Sequence, residues 1–412
     1  MPSGSSRRTF LTAALGTAGA VATGGAGFGV ARATEPGPAP AGAVVGFYGA
    51  HQAGIATSAQ EHLAFAAFDV TTGSADELAR LLGTWAAAAA QLTKGRPVGA
   101  VETAPDAPPI DTGEVEGLGA AQLTITVGFG PTLFDDRFGL ASRRPAALAE
   151  IPALPGDTLD PARSGGDLCV QACADDPQVA FHTMRNFARL ARGTAVLRWS
   201  QLGFGRTAST STAQDTPRNL MGFKDGTNNI KAEEPHDLAR HVWVGDETDQ
   251  AWLRGGSYLV ARRIRMLIES WDTAALAEQE RVLGRAKGTG APLGERREFD
   301  PLDLTATKAG MPLIDRTAHI RLAAPATNAG RKLLRRGYSY TDGIDASTGL
   351  LDAGLFFLAY QNDPVSQFVA IQRRLARHDA LNEYIRHTGS ALFAVPPGLS
   401  GPGDWWGRDL FG

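Results

Sequence analysis

The stretch with the clearest chemical content is Gly222-Phe223-Lys224-Asp225-Gly226-Thr227-Asn228-Asn229, near the middle of the chain. Two glycines flank an acidic residue with the spacing G-x-x-D-G. Glycine admits positive φ and lets another group approach the backbone closely, so an Asp in such a turn can aim its carboxylate into a cavity. An isolated Asp-Gly step is ordinarily a surface turn with a local side-chain hydrogen bond. The rest of the chain has to supply the reason for reading more into it.

Eight histidines are present, at 51, 62, 182, 236, 241, 319, 378 and 387, and none pairs in H-E-x-x-H or another zinc spacing. A lone His on an apolar strand is ordinarily a satisfied core residue. His319 lies in Thr317-Ala318-His319-Ile320-Arg321-Leu322, and sixteen residues on comes Arg335, in Leu334-Arg335-Arg336-Gly337-Tyr338. If that segment is a strand, Arg335 and Arg336 face opposite sides. A buried Arg needs an anionic partner, and Asp225 or a bound ligand would serve.

The elements that must position these residues show an internal repeat. Leu168-Cys169-Val170-Gln171-Ala172-Cys173-Ala174-Asp175-Asp176-Pro177 reads as a strand ending at Asp-Pro, followed by a helix with Phe181, Met184, Ala188 and Ala191 on one face. Leu355-Phe356-Phe357-Leu358-Ala359-Tyr360-Gln361-Asn362-Asp363-Pro364 repeats the pattern, and its helix presents Phe368, Ile371 and Leu375. The two Asp-Pro steps lie 187 residues apart, and Leu168/Leu355 and Phe181/Phe368 keep that offset. Asp caps the helix and Pro starts it. A second pair fits: the strand His62–Val70 with the helix Ala75–Leu92, and the strand Ser257–Met266 with a helix over Thr273–Arg285. Val44–Gly49 reads as a first buried strand, and Leu123–Val127 alternates as a strand should. The pattern predicts two related α+β halves, with some strands buried on both faces.

The chain has 412 residues, is 43% hydrophobic and 20% charged, and carries a formal net charge of −3. That suits a packed two-domain protein and gives no global attraction to nucleic acid or anionic membranes. Ser6-Arg7-Arg8-Thr9-Phe10-Leu11, the Ala/Gly-rich run from Leu11 to Val30 and Ala31-Arg32-Ala33 together make a twin-arginine signal peptide over residues 1–33. A flexible leader over 34–43 would follow. The glycines and alanines of the run disfavour a membrane span, and no later run of 18 apolar residues exists. The expectation is export by the twin-arginine machinery to the cell envelope or beyond. Cys169 and Cys173 would stand roughly 13 Å apart on a strand, too far for a disulfide. They read as small buried hydrophobes, and no C-x-x-C-H exists for covalent haem attachment.

With these residues in view, the chain resembles the DyP-type (dye-decolourising) haem peroxidases. Gly222-Phe223-Lys224-Asp225-Gly226 matches the family's G-x-x-D-G signature. Phe47–Ile55, Gly165-Gly166-Asp167-Leu168, His241-Val242-Trp243-Val244, Arg335-Arg336-Gly337-Tyr338 and Asn382-Glu383-Tyr384 match in the same order. One such motif is weak, whereas six ordered matches over nearly the whole mature chain are specific. With the leader, the chain is similar to the exported branch that includes the deferrochelatase-type peroxidases.

The resemblance implies two ferredoxin-like α+β domains packed sheet to sheet, over 44–215 and 216–412, with one non-covalent haem b in the second. It implies His319 as the axial iron ligand, and Asp225 and Arg335 as the acid and cation on the peroxide side. Leu355 and Phe357 fall on the family's apolar distal positions, and Gly226 belongs to the cofactor-binding turn. Glu383 is expected behind His319, with Asp379 as runner-up, and Arg263 is the choice among Arg262, Arg263 and Arg265 for the haem propionates. The partners implied are hydrogen peroxide and a bulky organic reductant such as a dye. The oligomeric state is left open, a homo-oligomer included. Two alternatives share the site: release of iron from haem with the porphyrin intact, and haem carriage without catalysis. Trp405 and Trp406 read as surface packing ahead of electron transfer.

Overall fold

The structure is a computed structural model that describes residues 42–101 and 104–411. The segment read as a twin-arginine signal, and most of the leader expected after it, lie outside the described residues. The strands are β1 His62–Val70, β2 Thr124–Phe129, β3 Leu168–Ala174, β4 Ala195–Arg206, β5 Ser257–Met266, β6 Thr307–Lys308, β7 Met311–Pro312, β8 Leu334–Arg335, β9 Tyr338–Ile344, β10 Leu351–Gln361 and β11 Ile385–Val395. The helices are α1 Ala75–Leu92, α2 Pro177–Leu190, α3 Pro235–His241, α4 Ile268–Thr273, α5 Leu276–Leu283, α6 His319–Ala323, α7 Ala370–His378 and α8 Arg408–Phe411.

Two four-stranded antiparallel sheets carry the fold. The order β2-β3-β1-β4 in the first half is repeated as β9-β10-β5-β11 in the second. Each half therefore shows the ferredoxin-like arrangement, in which the third strand lies between the first strand and an edge. The 187-residue repeat falls on equivalent elements in part. β3 runs antiparallel beside β1, with Leu63 opposite Cys173, and β10 runs antiparallel beside β5, with Ala359 opposite Val260. Asp176 caps α2 by accepting from the Gln178 and Val179 amides, while Asp363 accepts from the Val365 and Ser366 amides. The second helix opens as a π-helical turn, Val365–Val369, before α7.

The sheets also join edge to edge. β4 meets β9 through Phe204↔Ser339 and Arg206↔Tyr338, and β11 meets β2 at Ala394↔Phe129. With β5 paired to β10, eight strands close into a barrel, and β8 extends the line of β9 along β10. The interior is filled from both halves by Leu63, Phe65, Trp199, Leu259, Tyr338, Phe356, Tyr360 and Phe393. The outer faces bury α1 and α2 on one side, through Trp85, Phe68 and Phe187.

Several local expectations change. Val44–Gly49 forms no strand; Val44 is exposed and only Phe47 is buried, against Trp406. The helix expected over Thr273–Arg285 is the shorter α5, set off from the preceding α4 because Ala274 and Ala275 are non-helical, with ψ of 133° and 147°. Phe181 turns outward on α2 and is exposed, its place in the core being taken by Val179, Ala180, Met184 and Phe187. Cys169 and Cys173 are free and buried in the barrel. Among the described residues no helix is long and apolar enough to cross a membrane.

Candidate active site

Asp225 sits in a turn built by its neighbours. Gly222 and Gly226 both adopt positive φ, +82° and +88°. A Cβ on Gly226 would stand 2.9 Å from Ala208 Cα, so that glycine is needed for the turn to lie against the segment after β4. Phe223 is buried and meets Trp271 edge to face, and the Trp271 indole N–H donates to the Met221 carbonyl. Arg218 ties the turn outward through the Gly222 and Lys287 carbonyls. The residues on either side of Asp225 share one acceptor. Lys224 Nζ lies 2.7 Å from Glu298 Oε2, and the Thr227 hydroxyl donates to Glu298 Oε1 at 3.0 Å. Burial works against the charge on Glu298, yet hydrogen bonds from Lys224, Thr216 and Thr227 hold its carboxyl below the usual range.

Arg335 is the last residue of β8. Its side chain is part-exposed and donates to Asp225 Oδ1 at 3.0 Å, across 110 residues of sequence. Asp225 Oδ2 accepts a longer bond, 3.2 Å, from Asn219 Nδ2. The next residue, Arg336, points the other way, as alternation requires. It is fully buried and donates to the Thr57 and Ser58 carbonyls and to Gln60 Oε1, so backbone dipoles stand where an anion was expected. Arg285 is a further, half-buried cation nearby, anchored on the Gly290 and Glu298 carbonyls. Burial lowers its pKa, Glu298 opposes this, and the charge of Arg335 adds to the lowering.

His319 is not on a strand; it opens the five-residue helix α6. That helix is pinned at both ends. Asp315 accepts from the Thr317 amide and hydroxyl ahead of it, and the Asn328 side chain donates to the Leu322 and Ala324 carbonyls behind it. His319 Nδ1 stands 2.6 Å from Asp379 Oδ2. The other oxygen of Asp379 accepts from the Leu381 amide, capping the short helix Ala380–Glu383. Asp379 is thus held on both oxygens, and its side chain is almost wholly buried. Nδ1 is the protonated nitrogen in this arrangement, and Nε2 keeps its lone pair with no hydrogen-bond partner among the described residues. Burial works against an imidazolium here, but the charge and hydrogen bond of Asp379 outweigh it and raise the His319 pKa. Asp225 raises it further and Arg335 lowers it, so both act on the same ring.

The carboxylate behind His319 is therefore Asp379 and not Glu383. Glu383 lies at the far end of this 3-10 helix and is exposed; at three residues per turn it is rotated about 120° from Asp379 and turned away from the ring. Arg263 is the residue chosen for the propionates. On β5 it follows Leu259 and Ala261 onto the barrel-interior face, where it bonds Asp342 and Asp352 at 2.8 Å and Gln201 at 3.0 Å, with Tyr340 beneath it at 4.2 Å. Arg262 pairs with Asp157, and Arg265 pairs with Asp345. Each of the three is thus paired with at least one aspartate. Leu355 and Phe357 share the opposite, outer face of β10, both partly buried. Leu355 packs in the cluster that holds Phe223 and Leu381, and Phe357 stands 6.1 Å from Phe368.

Asn219, Asn229 and Glu298 were not singled out from sequence, although Asn229 lies in the opening motif itself. An Asn with an Arg or Asp partner 106 or six residues away carries no local signal. A separate cavity of about 490 Å³, lined by Arg163, Trp199, Gln201 and Asp342, lies beside β4 and β9 and is not lined by His319, Asp225 or Arg335.

The family description "Dyp-type peroxidase, N-terminal" matches residues 52–205, and "Dyp-type peroxidase, C-terminal" matches residues 216–400. A dye-decolorizing peroxidase of Thermobifida fusca (strain YX) is 44% identical over 339 residues, covering 81% of this chain and 76% of that protein. A deferrochelatase of Escherichia coli (strain K12) is 39% identical over 371 residues, 88% of this chain and 86% of that protein. Ferric DtpA from Streptomyces lividans superposes with a TM-score of 0.83 at 40% identity, over 92% of this chain and all of that one. A DyP-type peroxidase from Cellulomonas bogoriensis gives 0.80 at 40% identity, over 91% of this chain and all of that one. An imidazole backed by a buried carboxylate, and an acid–arginine pair, both within the second of two ferredoxin-like halves, accord with these matches: the chain belongs to the DyP-type peroxidase family, haem-dependent oxidoreductases acting on peroxide.

Proposed function

We propose that the protein is an exported haem b peroxidase that reduces hydrogen peroxide and oxidises bulky organic reductants, with His319 as the axial ligand and Asp225 and Arg335 on the peroxide side. The observation that carries this reading is the His319 ring, fixed at Nδ1 by Asp379 and free at Nε2, under the influence of the Asp225–Arg335 pair. The residues fit the cofactor. An unpartnered imidazole nitrogen suits iron, a carboxylate on the other nitrogen raises its basicity, and Leu355 and Phe357 offer an apolar wall that is only partly covered.

Haem, when bound, supplies the redox-active iron at which peroxide is reduced. The chain's own residues supply position and proton transfer. Asp379 holds the His319 tautomer and ring orientation. Asp225 Oδ1 is held by the Arg335 cation, and Oδ2 accepts only the longer, neutral bond from Asn219, so Oδ2 is the atom better suited to take a proton from one peroxide oxygen and return it to the other. Arg335 stays charged throughout and stabilises the negative charge that develops as the O–O bond opens. The motif at Arg7-Arg8 supports export by the twin-arginine route, which makes the cell envelope or the exterior the place of action.

The relative named deferrochelatase supports a second reading, release of iron with the porphyrin intact. Purified haem-loaded protein distinguishes them. Peroxide-dependent bleaching of an anthraquinone dye, absent in Asp225→Asn and Arg335→Leu, is expected. Accumulation of fluorescent metal-free protoporphyrin without peroxide, and no dye turnover, would replace the peroxidase reading.

A further inference from the structure

The Asp225–Arg335 contact joins two flexible side chains, yet the structure also ties the backbones that carry them. Asn229 stands four residues after Asp225, and its amide N–H closes the turn on the Gly226 carbonyl at 2.9 Å. Its side chain is 5% exposed and fully used. Oδ1 accepts from the Arg335 amide at 2.7 Å, while Nδ2 donates to the Arg335 carbonyl at 2.8 Å and to the Ser209 carbonyl at 3.0 Å. Both polar groups of one peptide-flanked residue are thereby held by one side chain.

The topology explains why such a clasp is needed. β8 is two residues long and pairs with β10 only at Leu334 and Arg335. The Arg336 amide turns back to the Leu358 carbonyl, so the amide and carbonyl of Arg335 face the other edge of β8. An unpaired strand edge leaves those groups unsatisfied and the residue free to shift. The Asn229 amide stands in for a neighbouring strand and closes that edge, in the donor–acceptor pattern a ladder partner would offer.

We infer that Asn229 is a positioning residue for the peroxide reaction: it sets the guanidinium of Arg335 relative to the carboxylate of Asp225 by holding the Arg335 backbone. The inference rests on the distal role proposed for Arg335. A side chain several bonds long magnifies a small backbone displacement, and misplacement of a catalytic group by about 1 Å costs on the order of 100-fold. Asn229 itself contacts neither peroxide nor reductant.

The test is a double-mutant cycle on the haem-loaded protein with Asn229→Ala, Arg335→Leu and the combination, read as kcat/KM for hydrogen peroxide. Hydrogen exchange of the peptide containing Arg335 is measured in parallel. Asn229→Ala should lower kcat/KM for peroxide by about 10- to 100-fold with the KM for the organic reductant unchanged. In the Arg335→Leu background the same change should cost less than about twofold. Exchange at the Arg335 amide should accelerate, because its acceptor is gone. If Asn229→Ala fails to fold, Asn229→Asp takes its place; it keeps the acceptor for the Arg335 amide and loses both donor bonds, and the same non-additive loss is expected. Peroxide kcat/KM within about twofold of the parent, or losses that multiply in the double variant, would overturn the positioning role. Arg335→Leu reacting at the parental rate would instead remove the distal reading of Arg335, and the exchange measurement would still report whether Asn229 holds that backbone.

Discussion

At the scale of single residues, the site depends on groups held from behind. His319 has one nitrogen committed to Asp379 and one without a partner among the described residues, and Asp379 is committed twice, to His319 and to the Leu381 amide. Removing the Asp379 charge should loosen the ring and lower its basicity. Asp379→Asn is expected to reduce haem affinity or peroxide turnover by about 10- to 100-fold, the usual effect of losing an outer partner of a metal ligand. Glu383→Gln should leave both at the parental value, because Glu383 is exposed. Haem titration and peroxide kinetics of the two variants check this, and the reverse pattern would return the supporting role to Glu383.

At the scale of elements, two devices place the chemistry. The first is the Asp225 turn, whose path depends on Gly226 at φ +88° against Ala208. Gly226→Ala combines a left-handed backbone strain of about 1–2 kcal/mol with a contact that has to move. Loss of thermal stability together with slower peroxide turnover is expected, and a variant that melts and turns over like the parent would show that the turn tolerates a side chain. The second is the packing of α7 on the outer sheet face. There His387 is buried, its Nε2 lies 3.1 Å from the Gln372 side chain, and Arg262 lies near it. Burial first, and then the Arg262 charge, push its pKa from 6.5 down to about 3. The unfolded chain therefore takes up this proton before the folded chain does. Stability contributed by neutral His387 is fully present above pH 6.5 and is lost as pH falls toward 3. Between pH 7.5 and pH 5 the loss is about 2 kcal/mol. Denaturant melts at the two pH values should show that His387→Gln has a smaller acid penalty than the parent; equal penalties would show that other groups control the acid limb.

At the scale of the whole molecule, the two halves share one interior. Phe65 and Trp199 from the first half stack at 5.3 Å, and Phe356 and Phe393 from the second pack on Phe65. The β4–β9 and β2–β11 junctions carry the ladder across both seams. A split along the chain would expose that core and leave four strand edges open. Calorimetry of a chain covering residues 44–412 is expected to show one transition with equal calorimetric and van't Hoff enthalpies. Two resolved peaks would show that the halves unfold independently. At the C-terminus, Trp406 is buried against Phe47 and Trp405 rests on Phe411, which accounts for both rings as packing groups.

Local signals in the chain were enough for the strands at His62–Val70 and Ser257–Met266, for the helix at Ala75–Leu92 and for the glycine-flanked turn at Asp225, because alternation, helix capping and positive φ are decided within a few residues. The duplicated half was legible for the same reason: Asp-Pro caps and apolar runs recur at a fixed offset. The ordered motifs gave the family. Partners across long separations were decided only by tertiary structure. Asp379 and Glu383 are equivalent as carboxylates near position 380 in the sequence; the fold chooses Asp379 because it caps the short helix and turns its second oxygen to a ring 60 residues away. Arg262, Arg263 and Arg265 look interchangeable until strand register turns Arg262 away from the other two and gives each its own aspartate partners. The clasp of Asn229 on Arg335 spans 106 residues and exists because a two-residue strand leaves one edge unpaired. No local pattern encodes that vacancy, since it is a property of how the sheet closes.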